Sequence, residues 1–179
     1  MKKIALCILM LSFSCSVLAA EFVYKGNLIK SEIKIKAFSC GTYSIVVESD
    51  EFPFELEGKI PYNLLLKNYY GSKNVVSVKA IFEGSIKKVI PSLTDLFPHS
   101  DLLLYDGRTY APQKVVCAKN GAIIFYWSGG NCNHCEAWAY YEFGLDGQIR
   151  QKELLPYSEV KELTKEYNQP LQPTGSAGG

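Results

Sequence analysis

Three dipeptides of Asp or Asn followed by Gly divide the second half of the chain into short apolar runs. They are Asp106-Gly107, Asn120-Gly121 and Asp146-Gly147. Such pairs tolerate positive φ angles and close tight β-hairpins. No stretch of the sequence between these runs is long enough for a crossover helix, so parallel pairing of the strands is disfavoured. The spacing therefore predicts an antiparallel meander.

The residues between such turns favour strands over helices. The chain contains 12 Tyr, 9 Phe and 2 Trp, and aromatic and β-branched residues are enriched in sheets. Glu32 to Phe38 alternates strictly, which is typical of a strand with one solvated face. We predict a mostly β or α+β fold, with an antiparallel meander sheet that is sandwich-like or barrel-like and one or two short helices. The predicted strands are residues 32–38, 42–47, 52–57, 75–82, 102–105, 114–118, 122–127, 137–143 and 148–152.

Proline, glycine and serine mark the remaining elements. Ser49-Asp50 predicts a turn, and Pro53 restricts the strand that follows it to an edge or an irregular position. Pro61 to Tyr70, followed by Gly71, has the start and stop signals of a short helix. Ser158 predicts the cap of a final helix that ends near residue 167. The segment 91–98 predicts a loop or a single helical turn.

The first 20 residues have the pattern of a cleavable secretory signal peptide. Lys2 and Lys3 precede an uncharged apolar run, and small residues end at Ala20. The run is too short to span a bilayer, so we expect no transmembrane span after cleavage. The expected location is the bacterial periplasm or the exterior, with a lipoprotein anchored at Cys15 as the alternative. We expect one β-rich domain over residues 21–168 and a disordered tail over 169–179.

The charge balance bears on possible partners. The chain has 19 basic and 18 acidic residues, and removal of Lys2 and Lys3 leaves 17 against 18. Nucleic-acid binding requires a basic surface that neutralises phosphates, so this balance argues against it. An unknown envelope protein or a small ligand is the expected partner.

Four of the six cysteines lie beyond the predicted signal peptide. They are Cys40, Cys117, Cys132 and Cys135. An even number in an oxidising compartment predicts two disulfides. Four cysteines allow three pairings, and the sequence alone does not choose among them. We favour a local Cys132–Cys135 bridge and a long-range Cys40–Cys117 bridge.

The segment from Trp127 to Glu136 concentrates unusual residues, including two glycines, two cysteines and a histidine. The favoured interpretation is a disulfide-pinned loop between two strands. A thiol–disulfide enzyme is the alternative, in which Cys132 attacks, Cys135 resolves and His134 favours the thiolate. A zinc site would need two further ligands beyond this pair, so we expect no metal and no other cofactor.

The apolar run from Ile123 to Trp127, followed by Cys132-Asn133-His134-Cys135, resembles the active-site stretch of the thioredoxin family. That resemblance implies redox activity at Cys132 and Cys135 and a helix that begins at the motif. The residues depart from it, because one residue more separates the tryptophan from the first cysteine. Residues 137–147 predict a hairpin instead of a helix, and few residues remain to complete such a fold.

Recognisable catalytic motifs of hydrolases, zinc proteases and phosphate-binding loops are absent from the sequence. Whether the protein is an enzyme is therefore uncertain, and we favour a non-enzymatic binding or inhibitory module. A purely structural envelope protein is a further alternative. Alternation places Trp138 and Tyr140 on one face of a strand and Tyr141 and Phe143 on the other. The candidate binding residues are Trp127, Asn131, His134, Trp138 and Tyr140.

Overall fold

The computed structural model describes residues 19–100, 103, 107–118, 120–130, 132, 134–156 and 158–160. Most of the predicted signal peptide and the whole predicted tail lie outside them. The strands are β1 (Glu21–Tyr24), β2 (Asn27–Lys30), β3 (Glu32–Cys40), β4 (Tyr43–Glu51), β5 (Val75–Glu83), β6 (Lys87–Ile90), β7 (Ala111–Ala118), β8 (Gly121–Trp127), β9 (Glu136–Phe143) and β10 (Ile149–Leu155). A short helix, α1 (Leu93–Leu96), and two 3₁₀ turns, Phe54–Leu56 and Tyr62–Leu64, connect them. Residues 158–160 are also helical.

Two antiparallel meanders form the body of the fold. One sheet has the order β3-β4-β5-β6 and the other β10-β9-β8-β7, while β1 and β2 form a separate hairpin. In both four-stranded sheets every strand pairs with its neighbour in the chain, which is the pattern that short turns produce. The sheets pack face to face, so the predicted mostly β, antiparallel, sandwich-like fold is confirmed.

The core lies between the two sheets. The first sheet contributes buried residues such as Ile45 and Phe82, and the second contributes Val115, Ile124 and Tyr141. These side chains come from alternate positions, because only one face of each sheet points inward. Burial of each large apolar side chain contributes roughly 1.5–3 kcal/mol. The alternation of β9 is observed, and the face with Tyr141 and Phe143 is the one that belongs to this core cluster.

Two tyrosine hydroxyl groups are buried in this core and pair with each other. The Oη atoms of Tyr126 and Tyr141 lie 3.1 Å apart, and this hydrogen bond provides each buried hydroxyl with a partner. Burial raises the pKa of both phenols well above the ordinary value for tyrosine. Burial, with a smaller contribution from Tyr140, raises the pKa of Tyr43 to about 12.

A disulfide joins the two sheets at one corner of the sandwich. Cys40 ends β3, an edge strand of the first sheet, and Cys117 lies in β7, an edge strand of the second. Their Cα atoms are 5.3 Å apart, although the residues are separated by 77 positions in the sequence. The second bridge joins Cys132 to Cys135. Both bridges are the ones that the sequence analysis favoured.

Three local predictions upstream of β5 are wrong. Ser49 and Asp50 continue β4 instead of turning, because each pairs with a residue of β3 and of β5. Residues 52–57 do not form a strand: Phe52 is buried, and a 3₁₀ turn follows it. The predicted helix over 61–70 is reduced to the turn Tyr62–Leu64. The hairpin β1–β2 and strand β6 were not predicted.

The apolar face of the edge strand β3 is more exposed to solvent than its alternating sequence predicts. Ile33 and Ile35 remain exposed, the latter with 64% of its surface accessible, and only the end near Phe38 and Cys40 reaches the core. β3 contacts β7 of the opposite sheet, and its first five residues are all exposed.

The Asp-Gly and Asn-Gly pairs need their glycines for different reasons, a positive φ angle in one turn and close packing in another. Asp146-Gly147 forms the β9–β10 turn as predicted, and Gly147 has a φ of 67°. Asn120-Gly121 lies at the predicted β7–β8 hairpin, but Gly121 is the first residue of β8 and pairs with Ala118. A Cβ atom at Gly121 would overlap the carbonyl oxygen of Tyr141, so close packing requires glycine there. The predicted strand 102–105 and Asp106 fall outside the described residues, Leu103 excepted.

We predict that the fold loses stability at alkaline pH. Below about pH 10 the phenols are protonated in both the folded and the unfolded state, so their titration does not change the free energy of unfolding. Above that value the unfolded chain releases protons that Tyr126 and Tyr141 retain in the fold, so stability falls as the pH rises. Urea unfolding at pH 8 and pH 11 measures the decline. It should be smaller in the Tyr126→Phe/Tyr141→Phe variant, and an equally steep decline there would contradict the assignment.

We also predict that the two disulfides stabilise the fold unequally. Replacement of Cys40 and Cys117 by alanine should cost about 4 kcal/mol, because their bridge closes a long loop of the unfolded chain. The same replacement at Cys132 and Cys135 should cost only about 2 kcal/mol, because that loop is short. The free energies of unfolding in urea provide the comparison, and a larger loss for the second variant would refute this ranking.

Candidate functional site

The loop between β8 and β9, residues 128–135, is held by several local bonds in addition to its disulfide. The Ser128 amide donates to the Cys135 carbonyl at 2.9 Å, and the Cys135 amide donates to the Cys132 carbonyl at 3.0 Å. The Trp127 indole Nε1 donates to the Gly130 carbonyl at 3.1 Å. The disulfide loop therefore lies between two strands, as the favoured interpretation predicts.

Two other segments, both distant in the sequence, contact this loop and also bond to each other. The Tyr70 amide donates to the Ser128 carbonyl at 2.9 Å. The Thr109 amide donates to the Asn68 carbonyl at 2.9 Å, and its hydroxyl donates to the Lys67 carbonyl at 2.8 Å. We call the described residues of 67–71, 107–110 and 128–135 the loop cluster.

Gly129 permits the closest approach within the loop cluster. Its φ is 93°, a value that favours glycine. A Cβ atom at this position would overlap the backbone of Tyr70 and Gly71. Its neighbour Gly130 has a similar φ of 83°, but a Cβ atom there would meet only the Cys135 sulfur at 3.5 Å. The contact between the two loops therefore depends specifically on Gly129.

Arg108 provides positive charge beside the disulfide. Its Nη1 atom lies 3.3 Å from the Cys135 sulfur and 3.6 Å from the Cys132 sulfur. The guanidinium carbon also lies 5.0 Å from the ring centre of Tyr70, a cation–π arrangement. Arginine remains charged throughout the accessible pH range, so both sulfur atoms lie next to a permanent cation.

Aromatic side chains surround the loop cluster. The Tyr110 hydroxyl donates to the His134 carbonyl at 2.8 Å, which anchors the end of the loop. Tyr69 makes an edge contact with Trp127 at 6.3 Å between ring centres, and Gln113 donates to the Tyr69 hydroxyl. Burial, and then the nearby Glu51 carboxylate, raises the pKa of Tyr69. In contrast to Tyr69, Tyr70 has 62% of its surface exposed.

The two sulfur-bearing residues of the loop differ in access to solvent. Cys132 is exposed, while Cys135 is only 1% exposed. Strand β9 begins at Glu136, immediately after Cys135, where the thioredoxin family would have a helix. The resemblance to that family therefore does not extend to the local fold.

The structure brings together some of the candidate binding residues and separates others. Trp127 and His134 lie at the loop cluster, with His134 exposed and Trp127 partly buried. Trp138 and Tyr140 of β9 lie on the same outer sheet face as Trp127 of β8, but farther from the loop. There they pack against a small cluster that includes Val160. Asn131 lies outside the described residues.

Sequence reasoning missed Arg108 and Tyr70, which lie far from the cysteines along the chain. A single arginine after an Asp-Gly turn and a tyrosine before a glycine carry no motif. Their proximity to the disulfide depends on how the loops cross. A cavity of about 300 Å³ also adjoins Arg108 and is lined by Thr94, Phe97, Pro98, Leu103, Gly107, Arg108 and Thr109.

Within residues 19–160, as far as they are described, no group of three or more Cys, His, Asp or Glu side chains is arranged to hold a metal ion. Over the same described part, no helix is long and apolar enough to cross a bilayer. No protein-family model, curated protein or solved structure matches this chain.

We predict that Gly129→Ala destabilises the protein much more than Gly130→Ala. Both substitutions force alanine into a left-handed conformation, which costs about 1–2 kcal/mol. Only the methyl group at position 129 also overlaps backbone atoms, which adds about 1–3 kcal/mol. The free energies of unfolding in urea test this, with Gly130→Ala as the matched control. Equal losses would show that the close contact between the loops contributes nothing.

Proposed function

We propose that this protein is an exported, disulfide-stabilised binding module that recognises a protein partner through the loop cluster, without catalysing a reaction in that role. The observation that carries the proposal is the convergence of two distant chain segments on the partly exposed loop 128–135. Hydrogen bonds and the close contact at Gly129 hold these segments together, and a disulfide constrains the loop itself.

Rigidity supports a binding role. A surface that is ordered before it meets its partner loses less conformational entropy on association. The disulfide loop has backbone bonds at Ser128 and Cys135, and the Tyr110 hydroxyl holds its His134 carbonyl. Loops fixed on a sheet scaffold commonly carry recognition.

The exposed chemistry supports a protein partner more than a small ligand. Tyr70, with the Arg108 guanidinium over its ring, offers the tyrosine and arginine side chains that are enriched at the centres of protein interfaces. His134 and Cys132 extend the exposed surface beside them. We therefore expect a folded envelope protein or an extended segment of one.

The cysteines support the proposed compartment. The fold contains one long-range and one local disulfide, and disulfides are typical of proteins in oxidising compartments. The signal-peptide pattern of residues 1–20 agrees with export. Release at Ala20 would leave Glu21, the first residue of β1, at the new N-terminus.

We predict that Tyr70→Ala abolishes capture of a specific partner. The purified protein is immobilised, exposed to envelope extract and cross-linked, and the retained proteins are identified by mass spectrometry. A partner that recognises the loop cluster should bind the wild type and the Leu145→Ala variant but not Tyr70→Ala. Leu145 is a suitable control because it is 81% exposed and follows β9 at the strand's opposite end.

Near-UV circular dichroism must show that Tyr70→Ala retains the native fold. If all three proteins retain the same set of molecules, or none, the binding proposal fails and a purely structural envelope role gains support. Loss of capture with Leu145→Ala alone would place the interface at the other end of the sandwich.

A further inference from the structure

The two disulfides lie in opposite electrostatic environments. The Cys117 sulfur lies 3.1 Å from the Ser39 carbonyl oxygen, which carries partial negative charge. The sulfurs of Cys132 and Cys135 lie instead within 3.6 Å of the Arg108 guanidinium. A neighbouring cation stabilises a thiolate, and a carbonyl oxygen does not. The thiolates that form on reduction are therefore stabilised at the Cys132–Cys135 bridge but not at the Cys40–Cys117 bridge.

The exposure of the two cysteines indicates which sulfur is attacked and which one leaves. Cys132 is exposed, so an incoming thiolate can reach it, while Cys135 is almost completely buried. Disulfide exchange requires a sulfur open to attack and a second sulfur that leaves as a stabilised thiolate. Cys132 meets the first requirement. Cys135 meets the second, because Arg108 lies nearer to its sulfur than to that of Cys132.

We infer that the Cys132–Cys135 bridge is a thiol-exchange site in which Arg108 stabilises the departing Cys135 thiolate. This activity goes beyond the proposed binding role and does not depend on it. Arg108 is positioned for it by the Tyr70 ring, over which its guanidinium lies. The co-reactant is a protein dithiol.

The exchange balances as a two-electron transfer. A thiolate of the co-reactant attacks the Cys132 sulfur and forms a mixed disulfide, while the Cys132–Cys135 bond breaks and its electron pair moves to Cys135. The second thiol of the co-reactant, as its thiolate, then attacks the co-reactant's own sulfur in the mixed disulfide and releases the Cys132 thiolate. The co-reactant is oxidised to a disulfide, and its two protons pass to the two cysteines or to solvent.

The experiment measures the reduction of both bridges in the same molecule. The oxidised full chain is incubated with dithiothreitol, which serves as the dithiol probe, and samples are quenched by alkylation at acid pH. Peptide mass spectrometry then follows each cysteine separately. We expect the Cys132–Cys135 bridge to open at least about tenfold faster than the Cys40–Cys117 bridge. Cys132 is exposed while Cys40 and Cys117 are half-buried, and Arg108 stabilises the leaving thiolate at the first bridge only.

Substitution of Arg108 tests the role of its charge. Arg108→Gln should slow opening of the Cys132–Cys135 bridge about three- to tenfold, because the leaving thiolate loses its cation. Arg108→Lys should restore most of the rate. Arg150→Gln is the matched control, since Arg150 is the only other arginine in the sequence. In this variant the Cys132–Cys135 bridge should open at the wild-type rate. High salt should reduce the difference between wild type and Arg108→Gln, because ions screen the partly exposed pair.

The direction of attack is tested with Cys135→Ser and Cys132→Ser, each treated with oxidised glutathione. The exposed Cys132 of the first variant should form the mixed disulfide much faster than the buried Cys135 of the second. Equal rates in these two variants, an unchanged rate in Arg108→Gln, or faster opening of Cys40–Cys117 would each overturn the inference. These assays contain no binding partner, so their failure is distinct from failure of the binding proposal.

Discussion

The packing of two four-stranded sheets against each other is the interaction on which the rest of the structure depends. Each meander is apolar on its inner face, and neither can bury that face alone. Contact between the sheets removes side chains such as Ile45, Phe82 and Tyr141 from water. The Cys40–Cys117 bridge then joins the edge strands at one corner of the sandwich. In the unfolded chain it keeps these two residues together and so lowers the conformational entropy gained on unfolding.

The loop cluster lies where this sandwich leaves loops from both sheets side by side. The β8–β9 loop belongs to the second meander, while residues 67–71 connect β4 to β5 in the first. The Tyr70–Ser128 hydrogen bond and the close approach at Gly129 therefore join the two halves of the molecule. A rigid loop cluster is a consequence of sheet packing, and its exposed side chains are held by that same packing.

Arg108 has a place in both proposed activities for a single physical reason. A guanidinium is planar, permanently charged and able to stack, so one side can cover the Tyr70 ring while an Nη atom approaches the sulfurs. The two proposed roles therefore share one side chain, although each rests on its own observations.

The sequence by itself determined the strand-rich class and the β8–β9 and β9–β10 hairpins, because alternation and turn chemistry act within about ten residues. It limited the four cysteines to three pairings, and the structure selected one of them. The same local rules failed at residues 61–70, where only the turn Tyr62–Leu64 forms. The amides of Leu66 and Tyr70 bond instead to the distant carbonyls of Val75 and Ser128. Only the tertiary structure decided that Arg108 would meet sulfurs 24 and 27 residues away and that Tyr70 would lie under its guanidinium. Such contacts depend on how distant segments cross once the sheets pack, and no local residue preference encodes that geometry.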